Sequence, residues 1–333
     1  LHLSIRRQRQ MCIRDRPRDV ADFFREQYSK LNPVQVDVAP YVLNRSENLL
    51  IGTETGTGKT LMAEIGIWSL LSKKDSAKAL YIGPLRAITT EKEKEWQKFH
   101  RAGIPVYKVT GDEETVDEEK AKNARLLLTT CEKWDSLTRK PRRFPFTRHP
   151  DLVILDEVHI IDDETRGPTT EVLLSRIKRT LPNARIIGLS ATMRNIEQLA
   201  QWLNGEYYRN TEYRPVPLTL SFEAVPDTKY YNVAEQAKDR IVQNIVQLLL
   251  EEKTETGKRG KILIFAGSRR RAEETAAKMA NSIKLLDRPY PSTAANPRLR
   301  YLMERGVVFV HAGLKASDRS IAVAAFDEGP IDV

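Results

Sequence analysis

Apolar residues in this chain gather in short unbroken runs. Residues 48–51, 78–83, 105–109, 125–129, 152–155 and 185–189 are each four to six residues long and mostly apolar. Such runs predict buried strands. Between the first two, Leu61, Ile65, Trp68 and Leu71 recur at helical spacing. Residues 91–99 predict a charged helix, and the acidic run 112–119 a solvated loop and helix start. Upstream, residues 20–31 predict an amphipathic helix whose apolar part is Phe23, Phe24 and Tyr28. Leu31-Asn32-Pro33-Val34-Gln35 breaks it and opens a second short helix. Strands alternating with helices predict a parallel α/β sheet, which places ligand sites outside the carboxyl ends of its strands.

A second block follows Arg214-Pro215-Val216-Pro217-Leu218, which reads as a linker. Residues 233–250 predict a helix with Ile241, Ile245, Leu248 and Leu249 on its apolar face. Residues 251–260 are a charged turn, and 261–265 a buried strand ending at Ala266-Gly267-Ser268-Arg269. After a proline-containing loop at 288–296, residues 307–310 predict a strand running into His311-Ala312-Gly313-Leu314, and 331–333 the opening of another. The expected division is therefore 1–18, 19–213, a linker at 214–218, and 219–333.

The first run ends in Thr53-Glu54-Thr55-Gly56-Thr57-Gly58-Lys59-Thr60, and the 61–71 helix begins there. Strand, glycine-bearing loop and helix, closing on Gly-Lys-Thr, is the arrangement of a phosphate-binding loop. Glycines let backbone N–H groups turn onto a polyphosphate, and the helix adds its positive end. Thr55, Gly56, Thr57, Gly58, Lys59 and Thr60 are the expected nucleotide contacts. Lys59 would reach the phosphates and Thr60 a Mg²⁺ ion. The strict pattern has glycine where this chain has Thr53. A Gly/Thr-rich turn with a chance lysine would lack the flanking strand and helix. Asp156-Glu157 closes the 152–155 run. A carboxylate there can hold Mg²⁺ through water, and its neighbour can polarise an attacking water. The plainer reading is a pair of helix-capping acids. Gln35 offers a donor and an acceptor that could read an adenine edge.

Charge changes this picture little. The net charge is +9 over 333 residues, with pI near 9.4. Residues 1–18 hold six arginines against Asp15, a net +5, which leaves +4 elsewhere. That segment is read as a non-native basic leader and left out of the fold. No apolar run approaches the roughly 18 residues of a membrane span. Cys12 and Cys131 lack metal spacing and fit a reducing, cytoplasmic compartment.

Taken together, these stretches resemble a known family. Asp156-Glu157-Val158-His159 and Ser190-Ala191-Thr192 look like motifs two and three of superfamily 2 helicases. Residues 53–60 resemble motif one, Pro84-Leu85-Arg86-Ala87 motif Ia, and Thr129-Thr130-Cys131-Glu132-Lys133 motif Ib. Gln35 falls where the family's adenine-reading glutamine lies. The 214–218 linker and Asn195 after motif three are similar to the Ski-type branch, and within it to the archaeal Hjm-type DNA repair helicases.

The resemblance implies two RecA-like parallel-sheet domains in tandem, the second stopping before motifs V and VI. It implies ATP and Mg²⁺ as cofactors, with Lys59, Asp156 and Glu157 catalytic and Thr60 and Asp156 holding the metal. Ser190, Thr192 and His159 would couple nucleotide state to the track. Ser190 and Thr192 could also cap the next helix, and His159 could be purely structural. Arg86, Thr130, Glu132, Ser268, Arg269 and His311 would contact nucleic acid, which for a motor means backbone and not sequence. The expected partner is single-stranded or forked DNA, with RNA possible, and the expected state a nucleoid-associated monomer. The activity implied is 3′-to-5′ DNA unwinding, slow to hydrolyse ATP in this fragment. The alternative is an RNA helicase or a nucleotide-gated remodelling clamp.

Overall fold

The computed structural model describes residues 23–24, 28, 30–111, 116–227, 229–251, 260–282, 290–327, 329 and 331–333. The chain divides into two compact units, Leu1–Leu218 and Thr219–Val333. The basic leader at 1–18 lies outside the described residues.

The first unit is built on a seven-stranded sheet. Its strands are β1 (Asn48–Thr53), β2 (Ala79–Gly83), β3 (Val106–Val109), β4 (Leu126–Thr130), β5 (Leu152–Leu155), β6 (Arg185–Ser190) and β7 (Gly205–Asn210). Their spatial order is β3-β4-β2-β5-β6-β1-β7, and every pairing is parallel. The fold class is thus α/β with an all-parallel sheet, as a RecA-like helicase domain requires. All six expected strands form, and β1 extends two residues further, to Thr53. The seventh, β7, gives no apolar run, because it is a half-exposed edge strand (GEYYRN).

Successive residues of the apolar runs serve opposite faces. Leu49, Ile51, Tyr81, Leu126, Leu128, Leu152, Ile154, Ile187 and Leu189 enter one core. Leu50, Leu80, Ile82, Leu127, Val153, Leu155 and Ile186 enter the other. Double-sided burial explains why these strands are continuously apolar. The first face is covered by α1 (Pro33–Asn44) and α2 (Lys59–Lys73), with Trp96 and Phe99.

The charged helix expected at 91–99 instead begins at Arg86 as α3 (Arg86–Glu95) and resumes as α4 (Gln97–Arg101). Trp96 makes the break. Its ring is fully buried edge-on to Tyr81, 4.9 Å between centroids. Its Nε1 donates to Glu64 Oε1 of α2 at 2.6 Å. Lys98 Nζ reaches the other Glu64 oxygen at 2.7 Å. Of the helix expected at 20–31, Phe23 and Phe24 are helical, and Tyr28 is not. Residues 20–22, 25–27 and 29 lie outside the described residues. Phe23 stacks on Trp68 at 3.8 Å. In the acidic run, 112–115 lie outside the described residues and the helix is α5 (Glu118–Asn123), capped by Asp117. The sheet's other face carries α6 (Cys131–Thr138), α7 (Gly167–Thr180) and α8 (Ile196–Trp202).

The second unit contains α9 (Tyr231–Glu251), α10 (Arg269–Ser282), α11 (Pro297–Met303) and α12 (Ala316–Asp327) around one apolar cluster. The face expected on α9 is displaced. Ile245, Leu248 and Leu249 are exposed, whereas Val246 is buried with Val242 and Leu250 packed near it. Ion pairs set that rotation: Glu235 and Asp239 of α9 pair with Arg271, and Asp239 also with Lys278, both on α10. The strands expected at 261–265 and 307–310 form no ladder among the described residues. Ile262 N–H donates to Asp332 O at 2.7 Å and Val308 N–H to Val333 O at 3.0 Å. Among the described residues these backbone bonds join 331–333 to both segments without a ladder.

Among the described residues no helix is long and apolar enough to cross a membrane.

The Glu64 pair gives a stability test. All four tryptophans (Trp68, Trp96, Trp134 and Trp202) lie in the first unit, so their fluorescence follows its unfolding alone. Lys98→Met leaves a carboxylate that is 97% buried without its cation. It should cost about 3 kcal/mol in urea titrations. Lys92→Met breaks the pair to the more exposed Glu95 and should cost under about 1 kcal/mol. Equal costs would remove the Glu64 pair from the elements that fix α4.

Candidate nucleotide and nucleic-acid site

The polar ends of β1, β5 and β6 stand side by side at the carboxyl edge of the sheet. The loop after β1 is shaped from within. Thr57 Oγ1 donates to Glu54 O at 2.9 Å, and the Thr53 hydroxyl donates to Thr57 Oγ1 at 2.7 Å. This is the use of the threonine that stands where the strict pattern has glycine. Gly56 and Gly58 take φ of 85° and 76°, the left-handed region that favours glycine. A Cβ on Gly58 would also lie 2.2 Å from Gln35 Nε2.

Lys59 opens α2, and its ammonium donates to Thr53 O and Glu54 O, both at 2.9 Å. Burial pushes its pKa down, against the pull of Glu157, Asp156 and Glu54. Thr60, half-buried, lines a cavity of about 480 Å³ with Tyr28, Glu64, Lys92 and Glu95. Thr55 is exposed.

Gln35 and Asn32 cap α1 reciprocally, Gln35 N–H to Asn32 Oδ1 at 2.9 Å and Asn32 N–H to Gln35 Oε1 at 3.0 Å. Both amides then reach the loop: Asn32 Nδ2 donates to Thr57 O at 2.8 Å and Gln35 Nε2 to Gly58 O at 3.4 Å. Asn32 was not anticipated; a helix cap abutting a phosphate loop is its only sequence signal.

Asp156 follows β5. Its Oδ2 accepts the Tyr81 hydroxyl at 2.5 Å and its Oδ1 the Glu157 N–H at 3.0 Å. Burial and Asp156 push the Tyr81 phenol far above its ordinary value, so it stays a donor. Nothing in the sequence marked Tyr81 beyond a hydroxyl within an apolar strand. Glu157 sits at φ 53°, ψ 48°, a left-handed position for a non-glycine residue. Burial first and Asp156 second raise its pKa, over the opposing His159 and Lys59. His159 Nδ1 lies 3.3 Å from Glu157 Oε2 and 3.4 Å from the Ala191 amide, so it joins the loops after β5 and β6.

Ser190 is fully buried and donates to Ala191 O at 2.6 Å. Thr192 donates to Glu54 Oε1 at 3.0 Å. Neither caps the next helix; Asn195 occupies the N-cap of α8. Glu54, not anticipated, also receives Arg214 on its other oxygen at 3.0 Å.

The ends of β2, β3 and β4 form a neighbouring cluster. Arg86 opens α3 with its guanidinium against Gly111, where a Cβ would lie 2.3 Å from Nη2. Thr130 is buried and caps α6, accepting the Lys133 amide at 3.4 Å. Arg166 ties this cluster together, donating to Pro84 O after β2 and pairing with Glu132 at 3.0 Å. Burial opposes ionisation of Glu132, but its own amide and Arg166 outweigh it and hold the carboxyl below its ordinary value.

In the second unit Ser268 caps α10, accepting the Arg271 amide at 3.2 Å. Arg269 lies beside Gly313. His311 is turned inward: Nδ1 accepts the Gly313 amide at 3.0 Å, so Nε2 carries the proton and donates to Glu273 at 3.0 Å. Its ring stacks on Phe309.

Residues 32–199 match the DEAD/DEAH box helicase family, and the chain belongs to it. Within that family it is similar to helicases of the Ski2 type. It is 33% identical over 325 residues to ATP-dependent DNA helicase Hel308 of Pyrococcus abyssi, covering 91% of this chain and 42% of that protein. It is 28% identical to the probable ATP-dependent DNA helicase HFM1 of Homo sapiens, over 97% of this chain and 24% of that protein. Activating signal cointegrator 1 complex subunit 3 of Dictyostelium discoideum is 30% identical over 92% of this chain and 14% of its own length. The chain thus spans less than half the length of each relative.

The raised pKa of Glu157 has a stability signature. A group whose folded pKa lies above its unfolded value contributes stability at low pH that is lost as pH rises through the folded pKa. Ionised Glu157 therefore burdens the fold at neutral pH. Glu157→Gln should raise the thermal midpoint near pH 7, and the gain should vanish by about pH 4. A gain independent of pH would show that packing, not charge, is the cause.

Proposed function

We propose that this chain is the ATP-binding portion of a nucleic-acid motor, a 3′-to-5′ DNA helicase acting on single-stranded or forked DNA. The observation that supports this best is the gathering of Lys59, Asp156, Glu157, His159 and Thr192 at one sheet edge, beside a second cluster of Arg86, Thr130 and Glu132. Two of the relatives named above are called DNA helicases, which favours DNA over RNA as the track. The division at the 214–218 linker into a nucleotide-binding domain and a second RecA-like domain belongs to the same reading.

In this reading residues 55–60 hold the phosphates. Lys59 exchanges its two backbone carbonyls for phosphate oxygens. These charged acceptors form stronger bonds than neutral carbonyls. The donor set suits Mg²⁺: the Thr60 hydroxyl and the Asp156 carboxylate are hard oxygen ligands. Among the described residues no group of three or more His, Cys, Asp or Glu gathers as a metal site. That fits an ion held chiefly by phosphate and water. Bound there, Mg²⁺ would neutralise charge on the transferred phosphate.

Tyr81 fixes the Asp156 carboxylate. Glu157, kept basic by burial and by its neighbour, would take the proton of the attacking water. Gln35 would have to exchange one of its two internal partners to read an adenine edge. Arg86 would meet the track's phosphates, with Arg166 holding the Pro84 and Glu132 turns in register. Ser268, Arg269 and His311 would contribute from the second unit, His311 through its packing and not through a free nitrogen.

Two measurements test the reading. Lys59→Ala should weaken Mg-ATP binding in nucleotide titrations by at least about tenfold, the loss of one charge-assisted bond. Equal affinities would exclude 53–60 as the phosphate loop. Arg86→Ala should weaken single-strand binding alike for all sequences and reduce the salt slope by about one. An unchanged slope would assign Arg86 to ordinary surface. The second comparison needs the first 16 residues removed, because their arginines would add affinity of their own.

A further inference from the structure

Glu54 is a residue of the phosphate loop whose main chain and side chain serve different neighbours. Its carbonyl accepts Lys59 Nζ and Thr57 Oγ1, both at 2.9 Å. Those bonds belong to the loop's own fold. Its carboxylate faces away from them. Oε1 accepts the Thr192 hydroxyl and Oε2 the Arg214 guanidinium, each at 3.0 Å. Thr192 lies 138 residues away in sequence and Arg214 160. Arg214 is itself braced, its Nε donating to Val216 O at 3.1 Å. Pro215 lies against the loop too, its Cγ 3.6 Å from where a Cβ on Gly56 would stand. The segment at 214–216 is therefore laid across the phosphate loop and fastened there by one carboxylate.

We propose that Glu54 is a positioning residue that transmits phosphate occupancy of the loop to Thr192 and to the 214–218 segment. The proposal rests on the phosphate-site reading given above. The relay follows from the bonds. Lys59 now holds the Thr53 and Glu54 carbonyls, and a phosphate would draw the ammonium off both. Loop amides closing on the phosphate would then fix the Glu54 backbone in place. Its carboxylate, attached to that backbone, clamps Arg214 and Thr192 more tightly. The exposed ion pair with Arg214 adds little to stability, so its worth is directional: it makes the start of the 214–218 segment follow the loop.

Hydrogen exchange on the full chain, with and without Mg-ATPγS, tests this. In wild type the nucleotide should slow exchange in the peptide 211–218 severalfold, read from its non-proline amides. Arg214→Gln should keep the ATPγS dissociation constant within about threefold, since exposed pairs are weak. It should nevertheless abolish the slowing at 211–218. Thr192→Val should reduce the response at 190–195 while leaving that at 211–218. Reversing the pair, with Glu54→Arg and Arg214→Glu together, should restore the slowing in whatever nucleotide-bound fraction forms.

Wild-type slowing that survives in Arg214→Gln overturns the relay. So does nucleotide binding by wild type with no change at 211–218, and in both cases the phosphate site stands. A loss of affinity beyond about tenfold in Arg214→Gln would make Arg214 a nucleotide ligand and also overturn it. Failure of wild type to bind ATPγS at all would sink the phosphate-site reading itself.

Discussion

Double-sided burial of the central strands governs everything else in the first unit. A strand covered on both faces has no place for chemistry along its length. Alternate residues of β1, β2, β4, β5 and β6 enter two separate apolar cores. Polar side chains are therefore driven to the strand ends, and in a parallel sheet the carboxyl ends all share one edge. Lys59, Asp156, Ser190 and Thr130 lie at or just past those ends for that reason. Tyr81 is the exception that helps the site. Its ring belongs to the core, while its hydroxyl emerges far enough to hold Asp156.

The site is a balance of charges that burial makes expensive. Desolvation lowers the pKa of Lys59 and raises that of Glu157. Each is opposed by the other, and Lys59 also by Asp156 and Glu54. Removing Lys59 would leave Glu157 less compensated. The same economy appears at Glu64, where a buried carboxylate has both a cation and an indole N–H. There, however, both oxygens are satisfied, by Trp96 and by Lys98 of α4. Glu64 is closed off by its partners, whereas Glu157 keeps a side chain that is 41% exposed and a strained backbone.

The apolar runs made the sheet legible, because continuous burial leaves an unmistakable pattern. Where burial is partial the pattern weakens. Strand β7 offers Tyr207 and Tyr208 in a polar context and gives no such signal. The face of α9 was misplaced because aliphatic spacing alone cannot register the ion pairs at Glu235 and Asp239 that turn the helix. In the second unit, short apolar runs suggested strands, yet no ladder forms there among the described residues. The loop and acidic-pair motifs were legible because each is contiguous in sequence. Arg166, Tyr81, Glu54 and Asn32 were not, because their roles exist only through partners far along the chain. Arg166 meets Pro84 across 82 residues, and Tyr81 meets Asp156 across 75.

These four residues share a property that separates them from the motif residues. Each joins a loop of the site to a second part of the fold. Asn32 joins the α1 cap to the phosphate loop, and Tyr81 joins the core to the acidic pair. Arg166 joins the turns after β2 and β4, and Glu54 joins the loops after β1 and β6 to the start of the 214–218 segment. Parallel strands do not by themselves fix the relative positions of the loops that follow them. The sheet sets where each loop starts, and side-chain bonds between loops set where it goes. A motor must change loop positions with nucleotide state while keeping strand positions constant. Bonds of this kind, strong enough to orient and weak enough to exchange, are therefore where such change would be carried.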